Sequence, residues 1–291
     1  MTKDLAETRP SNSEVSQILE LLNTASLAIL KHYRSDAAAE YQNKKDSTPL
    51  TEADLMAHRL ICQGLHQISP GIPVLSEESD TDVKQIRRQW RDYWLVDPLD
   101  GTREFLNRTG EFTINIALIC EHKPVLGFVA APCLDTVWFG GEHYGAYKLT
   151  LGADLASKQS IRCRALQSNA QITVLSAIRH RNKYLQATLS YLRSATPELQ
   201  RLDSGSALKF CQLAEGRGDI YPRFSPCCEW DTGAGQALVE GAGGQVWALN
   251  GRPLVYNSRD TLMSPHFVAL ADPSATLWTG LLHELKTSLD V

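Results

Sequence analysis

Three patterns predict an α/β protein whose N-terminal half is α+β. Two amphipathic helical stripes come first, a block of β-rich runs follows, and beyond residues 152–164 strand-like and helix-like segments alternate. Such alternation implies a largely parallel sheet with helices packed on it. The change of character divides the chain into residues 1–160, an α+β domain, and 161–291, an α/β domain.

In the first half, Val15, Ile18, Leu19, Leu22, Ala25, Ile29 and Tyr33 recur at three- and four-residue spacing, the stripe of a long helix from Glu14 with Ser13 as N-cap. Tyr41 to Pro49 reads as a hairpin or loop. Thr51-Glu52-Ala53-Asp54 opens a second helix through Met56, Leu60, Ile61, Leu65 and Ile68, which Pro70-Gly71 ends. Ile72 to Ser76 is a short strand ending in Glu77-Glu78, followed by a polar helix around Thr81 to Trp90. Phe112 to Cys120 and Val125 to Ala131 flank Glu121-His122-Lys123-Pro124 as a hairpin, and Asp135 to Gly140 and Gly145 to Leu149 continue the meander.

In the second half, strands are expected at Ile172 to Ser176, Leu199 to Leu202, Asp219 to Pro222, Gln245 to Ala248 and Phe267 to Leu270. Helices are expected from Asn182 to Leu192, Ser206 to Glu215, Thr232 to Glu240 and from Pro273 onward.

Composition narrows the function classes. A net charge of −4 supplies no basic footprint for nucleic acid. The seven cysteines are odd in number and lack a C-x-x-C pair, so reduced thiols in a cytoplasmic protein are expected instead of a disulfide framework or a zinc site. Met1 to Pro10 contains Asp4 and Glu7 and no apolar core, so no signal peptide is expected, and no apolar run is long enough to span a membrane. Walker A, G-x-G-x-x-G and G-x-S-x-G sequences are absent.

The chemistry is concentrated in Trp94-Leu95-Val96-Asp97-Pro98-Leu99-Asp100-Gly101-Thr102, an apolar strand that stops in two carboxylates. Pro98 fixes φ and removes a donor, so Asp97 and Asp100 must flank a bend, and their side chains can converge. Converging carboxylates repel unless a cation or proton lies between them, and an all-oxygen set suits Mg²⁺. The competing account makes both acids caps of the helix that starts near Thr102. Glu77-Glu78 and Glu229-Trp230-Asp231 are two further acidic termini, with solvated loop acids and an N-cap as their plainer readings.

Two stretches suit phosphate. Gly101-Thr102-Arg103-Glu104 starts a helix directly after the acids, with amides free to bind an anion. Ser204-Gly205-Ser206-Ala207-Leu208-Lys209 sets hydroxyls, a glycine and a lysine at another helix start, and Arg223 ends a strand nearby; together they fit a substrate with more than one phosphate. Cys227-Cys228, just ahead of Asp231, would make the site sensitive to oxidation or soft metals.

Asp97-Pro98-Leu99-Asp100-Gly101-Thr102, Glu77-Glu78 and Trp230-Asp231 together resemble the lithium-sensitive, magnesium-dependent inositol monophosphatase superfamily. Gly110 to Ala117 and Gly205 to Cys211 resemble its CysQ branch of 3'(2'),5'-bisphosphate nucleotidases, and the likeness runs from about Lys45 to the last helix. Two departures stand out. Relatives often read Ser-Arg-Ser-His where this chain has Ala177-Ile178-Arg179-His180, and Trp-Asp-Thr-Ala-Ala-Gly where it has Trp230-Asp231-Thr232-Gly233-Ala234-Gly235.

The resemblance implies a layered α/β/α/β sandwich of the inositol monophosphatase and fructose bisphosphatase type, with two or three Mg²⁺ ions. It assigns metal ligation to Glu77, Asp97, Asp100, Asp231 and the Leu99 carbonyl, and water activation to Asp54 and Thr102, so that the catalytic set is Asp54, Thr102, Glu77 and Asp97. Gly101 and Thr102 would hold the scissile phosphate, and Ser204, Gly205, Ser206, Lys209, Arg223 and Asp231 would meet the rest of the substrate.

The expected reaction is removal of the 3'-phosphate of adenosine 3',5'-bisphosphate, with its sulfated form as a further substrate. Inositol monophosphate or fructose 1,6-bisphosphate hydrolysis is the enzymatic alternative, and a phosphonucleotide sensor the non-enzymatic one. A monomer or homodimer in the cytoplasm is expected, with peripheral attachment to the inner face of the membrane implied only by the resemblance.

Overall fold

A computed structural model describes residues 10–35, 42–43, 49–167, 171–177 and 182–289. Tyr41 and residues 44–48 of the expected hairpin lie outside them, as do Ile178, Arg179 and His180.

Helix α1, Asn12–Tyr33, begins earlier than Ser13 suggests. Its cap is Ser11, paired with Glu14 in a capping box in which the Ser11 amide donates to Glu14 Oε2 at 2.7 Å. Strands β1 (Gln42–Asn43) and β2 (Pro49–Leu50) form a small antiparallel ladder. Helix α2, Glu52–Ile68, has Thr51 as N-cap with Asp54 closing the box.

A seven-stranded sheet follows, in the order β3 (Val74–Ser76), β4 (Asp92–Asp100), β5 (Thr113–Cys120), β6 (Lys123–Ala131), β7 (Thr136–Gly141), β8 (Gly145–Thr150) and β9 (Gln159–Ile161). The expected polar helix is α3, Thr81–Ile86, continued by a 3₁₀ turn at Arg87–Gln89; α4 is the five-residue helix Thr102–Leu106.

The C-terminal sheet has the order β11 (Leu199–Asp203), β10 (Ile172–Ser176), β12 (Ile220–Arg223), β14 (Phe267–Leu270), β13 (Gln245–Ala248). It is mixed, which corrects the largely parallel expectation. β10 is parallel to β11 and β12, whereas β14 is antiparallel to β12 and β13. The reason is the connection from β13 to β14: it contains no helix to carry the chain back across the sheet, so β14 returns antiparallel. The helices of this half are α5 (Lys183–Ala195), α6 (Leu208–Ala214), α7 (Gly233–Gly241) and α8 (Thr276–Leu289).

Three cores order the layers. α1 and α2 bury Ile18, Leu22, Ile29, Ala57 and Ile61 with Trp94, Val96, Ile116 and Phe128 on one face of the large sheet. Tyr93, Leu95, Ala117 and Val129 on its other face meet α6 and α7 through Phe210, Cys211 and Leu238, and beyond them Tyr221 and Phe267 of the second sheet, so this core draws on both sides of residue 160. The outer face of the second sheet packs Val174, Ile220 and Val268 against Leu189, Trp278 and Leu281. The layered sandwich therefore carries a further outer layer, α5 with α8. Each fully buried aliphatic or aromatic side chain contributes about 1.5–3 kcal/mol, which makes these stripes the main source of docking energy.

The small residues of α7 permit its close seat on the large sheet. A Cβ on Gly127 of β6 would fall 2.3 Å from the Ala234 carbonyl oxygen, so only glycine fits.

Candidate active site

The bend at Pro98 is a β-bulge. Asp97 pairs with Asn115 and Asp100 with Thr113, so three steps along β4 oppose two along β5. Side chains alternate faces along a strand, and residues three apart would ordinarily point to opposite sides. The extra residue restores Asp97 and Asp100 to the same side. Glu77 follows β3, whose Ser76 pairs with Val96, and its amide donates to the Val96 carbonyl at 3.0 Å, which sets it level with Asp97. Asp231 arrives from the far end of the chain on a 3₁₀ turn, Glu229–Asp231.

Carboxylate oxygens of Asp97, Asp100 and Asp231 lie within 4.8 Å of one another. Glu77 is outside that group, but it acts on two of its members through charge. Burial, then Glu77, Asp100 and Asp231, raise the Asp97 carboxyl well above the usual range. Burial, then Asp100 and Glu77, push Asp231 up to about 7. Burial also raises Asp100, opposed by Lys209 and Arg223. A site that makes its own acids hard to ionise is matched to a bound cation, and the all-oxygen donor set fits a hard divalent ion such as Mg²⁺.

Polar groups fix these acids. The Leu99 amide donates to Asp97 Oδ1 at 3.1 Å, and Asn115 Nδ2 donates to Asp100 Oδ2 at 3.4 Å with Thr113 Oγ1 3.5 Å from the same oxygen. The Cys228 amide donates to Asp231 Oδ2 at 2.9 Å. Thr113 and Asn115 were not foreseen as site residues. Their signal is two polar side chains, two apart, in a run otherwise buried and apolar.

Beside the acids, Thr102 Oγ1 lies 3.3 Å from Asp54 Oδ1 and 3.4 Å from the Leu99 carbonyl. The N-cap of α4 is Gly101, at φ +92°, and neither Asp97 nor Asp100 caps this helix. Asp54 is both the helix-start acid its sequence suggests and a member of the site. Its Oδ2 accepts from the Thr51 amide at 2.7 Å and from the Thr51 hydroxyl, which leaves Oδ1 toward Thr102.

The second stretch differs from its expectation. α6 starts at Leu208, so Ser204, Gly205 and Ser206 form a loop ahead of the helix instead of its first turn. Ser204 Oγ donates to Gln212 Oε1 at 3.3 Å, and the Gly205 amide donates to Glu111 Oε2 at 3.0 Å. Lys209 is buried, donating to the carbonyls of Ser204 at 2.9 Å and Ser206 at 2.7 Å. It holds the loop, and burial, then Arg223, pull its pKa down to about 8. The loop reaches the acids nonetheless, since a Cβ on Gly101 would meet Ser206 Cβ at 3.3 Å. Ser206 adopts φ +39°, and its Oγ, like Arg223 Nε, is buried without a protein partner. A strained backbone carrying an unpartnered buried hydroxyl beside Gly101 marks Ser206 as part of a functional surface.

Asp231 does not cap α7. Thr232 does, without a side-chain bond, while Asp231 turns back to Cys228. Burial, then the charge of Asp231, push the Cys227 thiol up to about 12.

Sequence comparison matches residues 11–282 to the model of the inositol monophosphatase family. The chain belongs to that family. Its relatives include proteins named 3'(2'),5'-bisphosphate nucleotidase CysQ: that of Salmonella typhimurium is 41% identical over 87% of this chain and 98% of the relative, and that of Haemophilus influenzae is 34% identical over 89% and 93%. Among solved structures, CysQ from Bacteroides thetaiotaomicron superposes with TM-score 0.78 at 33% identity, covering 89% of this chain and 97% of that one. An IMPase of Thermotoga maritima shares the fold, with TM-score 0.74 at 20% identity over 96% and 98%. The family is metal-dependent, in keeping with the acidic cluster. Among the described residues no helix is long and apolar enough to cross a membrane.

Proposed function

We propose that the protein is a magnesium-dependent 3'(2'),5'-bisphosphate nucleotidase that converts adenosine 3',5'-bisphosphate to AMP and phosphate, with the sulfated nucleotide as a second substrate. The observation that carries the reading is the cluster of Asp97, Asp100 and Asp231, flanked by the Thr102–Asp54 pair and by the orphaned donors of Ser206 and Arg223. The names of the CysQ relatives supply the choice of substrate.

Asp97, Asp100, Asp231, Glu77 and the Leu99 carbonyl would hold two or three Mg²⁺ ions. Bound there, they supply positive charge that acidifies water and neutralises charge developing on the phosphoryl oxygens. Thr102 Oγ1 donates a hydrogen bond to Asp54 Oδ1 and so turns a lone pair to the attacking water. As the water gives a proton to Thr102 Oγ1, the Thr102 proton passes to Asp54, whose other oxygen is committed to Thr51, so one proton leaves the water and one reaches the carboxylate. First-turn amides at Gly101 and Thr102 orient the scissile phosphate. Arg223, at the end of β12, and Ser206, on a loop that Lys209 and Glu111 keep in shape, take the remaining phosphate or the ribose.

Most metal ligands thus come from residues 1–160 and most recognition groups from 161–291. All of these come from one chain, which suits a monomer or a homodimer. The seven cysteines are all free, which suits the cytoplasm.

The test is phosphate release from adenosine 3',5'-bisphosphate, its sulfated form, inositol 1-phosphate and fructose 1,6-bisphosphate, with and without Mg²⁺. The highest kcat/KM is expected for one of the two nucleotides. A higher value for inositol 1-phosphate or the sugar bisphosphate contradicts the assignment.

A further inference from the structure

Behind the turn that carries Asp231 lies a buried polar network with no direct contact to the three clustered acids. Glu229, the first residue of the turn, is 1% exposed. Its Oε2 accepts from the Asn257 amide at 2.8 Å, its Oε1 is 4.0 Å from Arg259 Nη2, and its backbone amide donates to the Leu262 carbonyl at 2.8 Å. Its carbonyl accepts from the Thr232 hydroxyl at 3.0 Å. Asn257, at φ +53°, donates through Nδ2 to the Arg87 carbonyl at 2.7 Å and accepts at Oδ1 from Arg87 Nη1. Arg87 is 2% exposed and also donates to the carbonyls of Arg259 at 2.9 Å and Asp260 at 2.6 Å.

The connectivity suggests a purpose. Arg87 belongs to the 3₁₀ turn just before β4, the strand of Asp97 and Asp100, and Glu229 to the turn of Asp231. Arg87, Asn257 and Glu229 therefore tie the strand carrying two of the acids to the turn carrying the third, through the loop at residues 256–263. A buried carboxylate and guanidinium are costly unless each is satisfied, so the pair is an expensive way merely to fill space. The three acids repel one another without a cation, and Asp231 is the one held by a short turn and not by the strand.

We infer that Glu229, linked through Asn257 to Arg87, is a positioning residue that fixes Asp231 against Asp97 and Asp100 and thereby sets the affinity of the site for divalent metal. This rests on the metal reading of those three acids. Groups that orient ligands from behind typically change metal affinity by about 10–100-fold when removed.

The test is calorimetric titration of metal-free protein with Mg²⁺, for wild type, Glu229→Ala, Glu229→Gln and Asp219→Asn. Asp219, buried just before β12, pairs with the partly exposed Arg164, so its variant controls for general destabilisation. Glu229→Ala is expected to weaken Mg²⁺ binding about tenfold or more. Glu229→Gln, which still accepts from the Asn257 amide, is expected to recover most of the affinity, and Asp219→Asn to lower Tm with Mg²⁺ affinity unchanged. In turnover, Glu229→Ala should raise the Mg²⁺ concentration for half-maximal rate, with kcat at saturating metal within about threefold of wild type. Unchanged Mg²⁺ affinity in Glu229→Ala, or a loss matched by Asp219→Asn, overturns the inference. Wild-type protein that binds no Mg²⁺ at all overturns instead the metal reading on which it stands.

Discussion

Replacing Asp97 with Asn should lower phosphate release about 10³-fold or more while raising the melting temperature of the metal-free protein. The loss follows from removing a charged group that acts where charge develops, an effect of that order when a single preorganised electrostatic group is deleted. The gain follows from repulsion. Asp97 is buried, and burial together with Glu77, Asp100 and Asp231 raises its carboxyl well above the usual range. A carboxyl with a raised folded-state pKa favours folding below the ordinary carboxylate range, and that contribution is lost as pH rises through the raised value. Asp231, at about 7, marks where the loss is complete for that residue. Without metal, Asn at position 97 removes the carboxyl whose ionisation burial, Glu77, Asp100 and Asp231 all oppose. Differential scanning calorimetry should show Tm rising by about 2 °C for each kcal/mol relieved, with a smaller gain at pH 5. A fall in Tm at pH 8 would show that the acids are not strained against each other. Stability given up at a functional site is the expected trade.

Asp54→Asn should cost about 10²–10⁴-fold in kcat, the usual contribution of a general base. Its stability cost should be small. The amide keeps one oxygen, which in the Oδ2 place accepts from the Thr51 amide so that the capping box of α2 survives, while its NH2 replaces the oxygen that faces Thr102; cap changes are worth about 1 kcal/mol. Because Asp54 is not among the three clustered acids, half-saturation by Mg²⁺ should stay near the wild-type value. Steady-state kinetics over a Mg²⁺ series separates the two: a variant whose rate recovers at high Mg²⁺ would make Asp54 a metal ligand and not a base.

Much of this site was legible because its determinants are local. The Asp97-Pro98-Leu99-Asp100 segment announces a bend by its proline alone, and the bend is the bulge that brings the two acids to one side. The stripes of α1 and α2 fixed those helices to within a few residues, although Ser11 caps α1 in place of Ser13, because the partner Glu14 lies three residues beyond Ser11. What depends on distant contacts was less visible. Lys209 looks like a phosphate ligand by composition, yet the carbonyls of Ser204 and Ser206 and full burial turn it inward. β14 looks like any apolar strand, and only the sheet shows it to be antiparallel. Thr113, Asn115 and Glu229 lie in stretches the sequence marks, but each matters through a residue that is remote in sequence or across a sheet. Asp54 is a member of the site only by resemblance until α2 and α4 are seen side by side.

The most direct measurement is ³¹P NMR of adenosine 3',5'-bisphosphate incubated with the wild-type protein and Mg²⁺. Growth of inorganic phosphate together with 5'-AMP, stopped by EDTA and restored by excess Mg²⁺, is the predicted result. Adenosine 3'-monophosphate as product, or turnover unaffected by EDTA, would contradict the account.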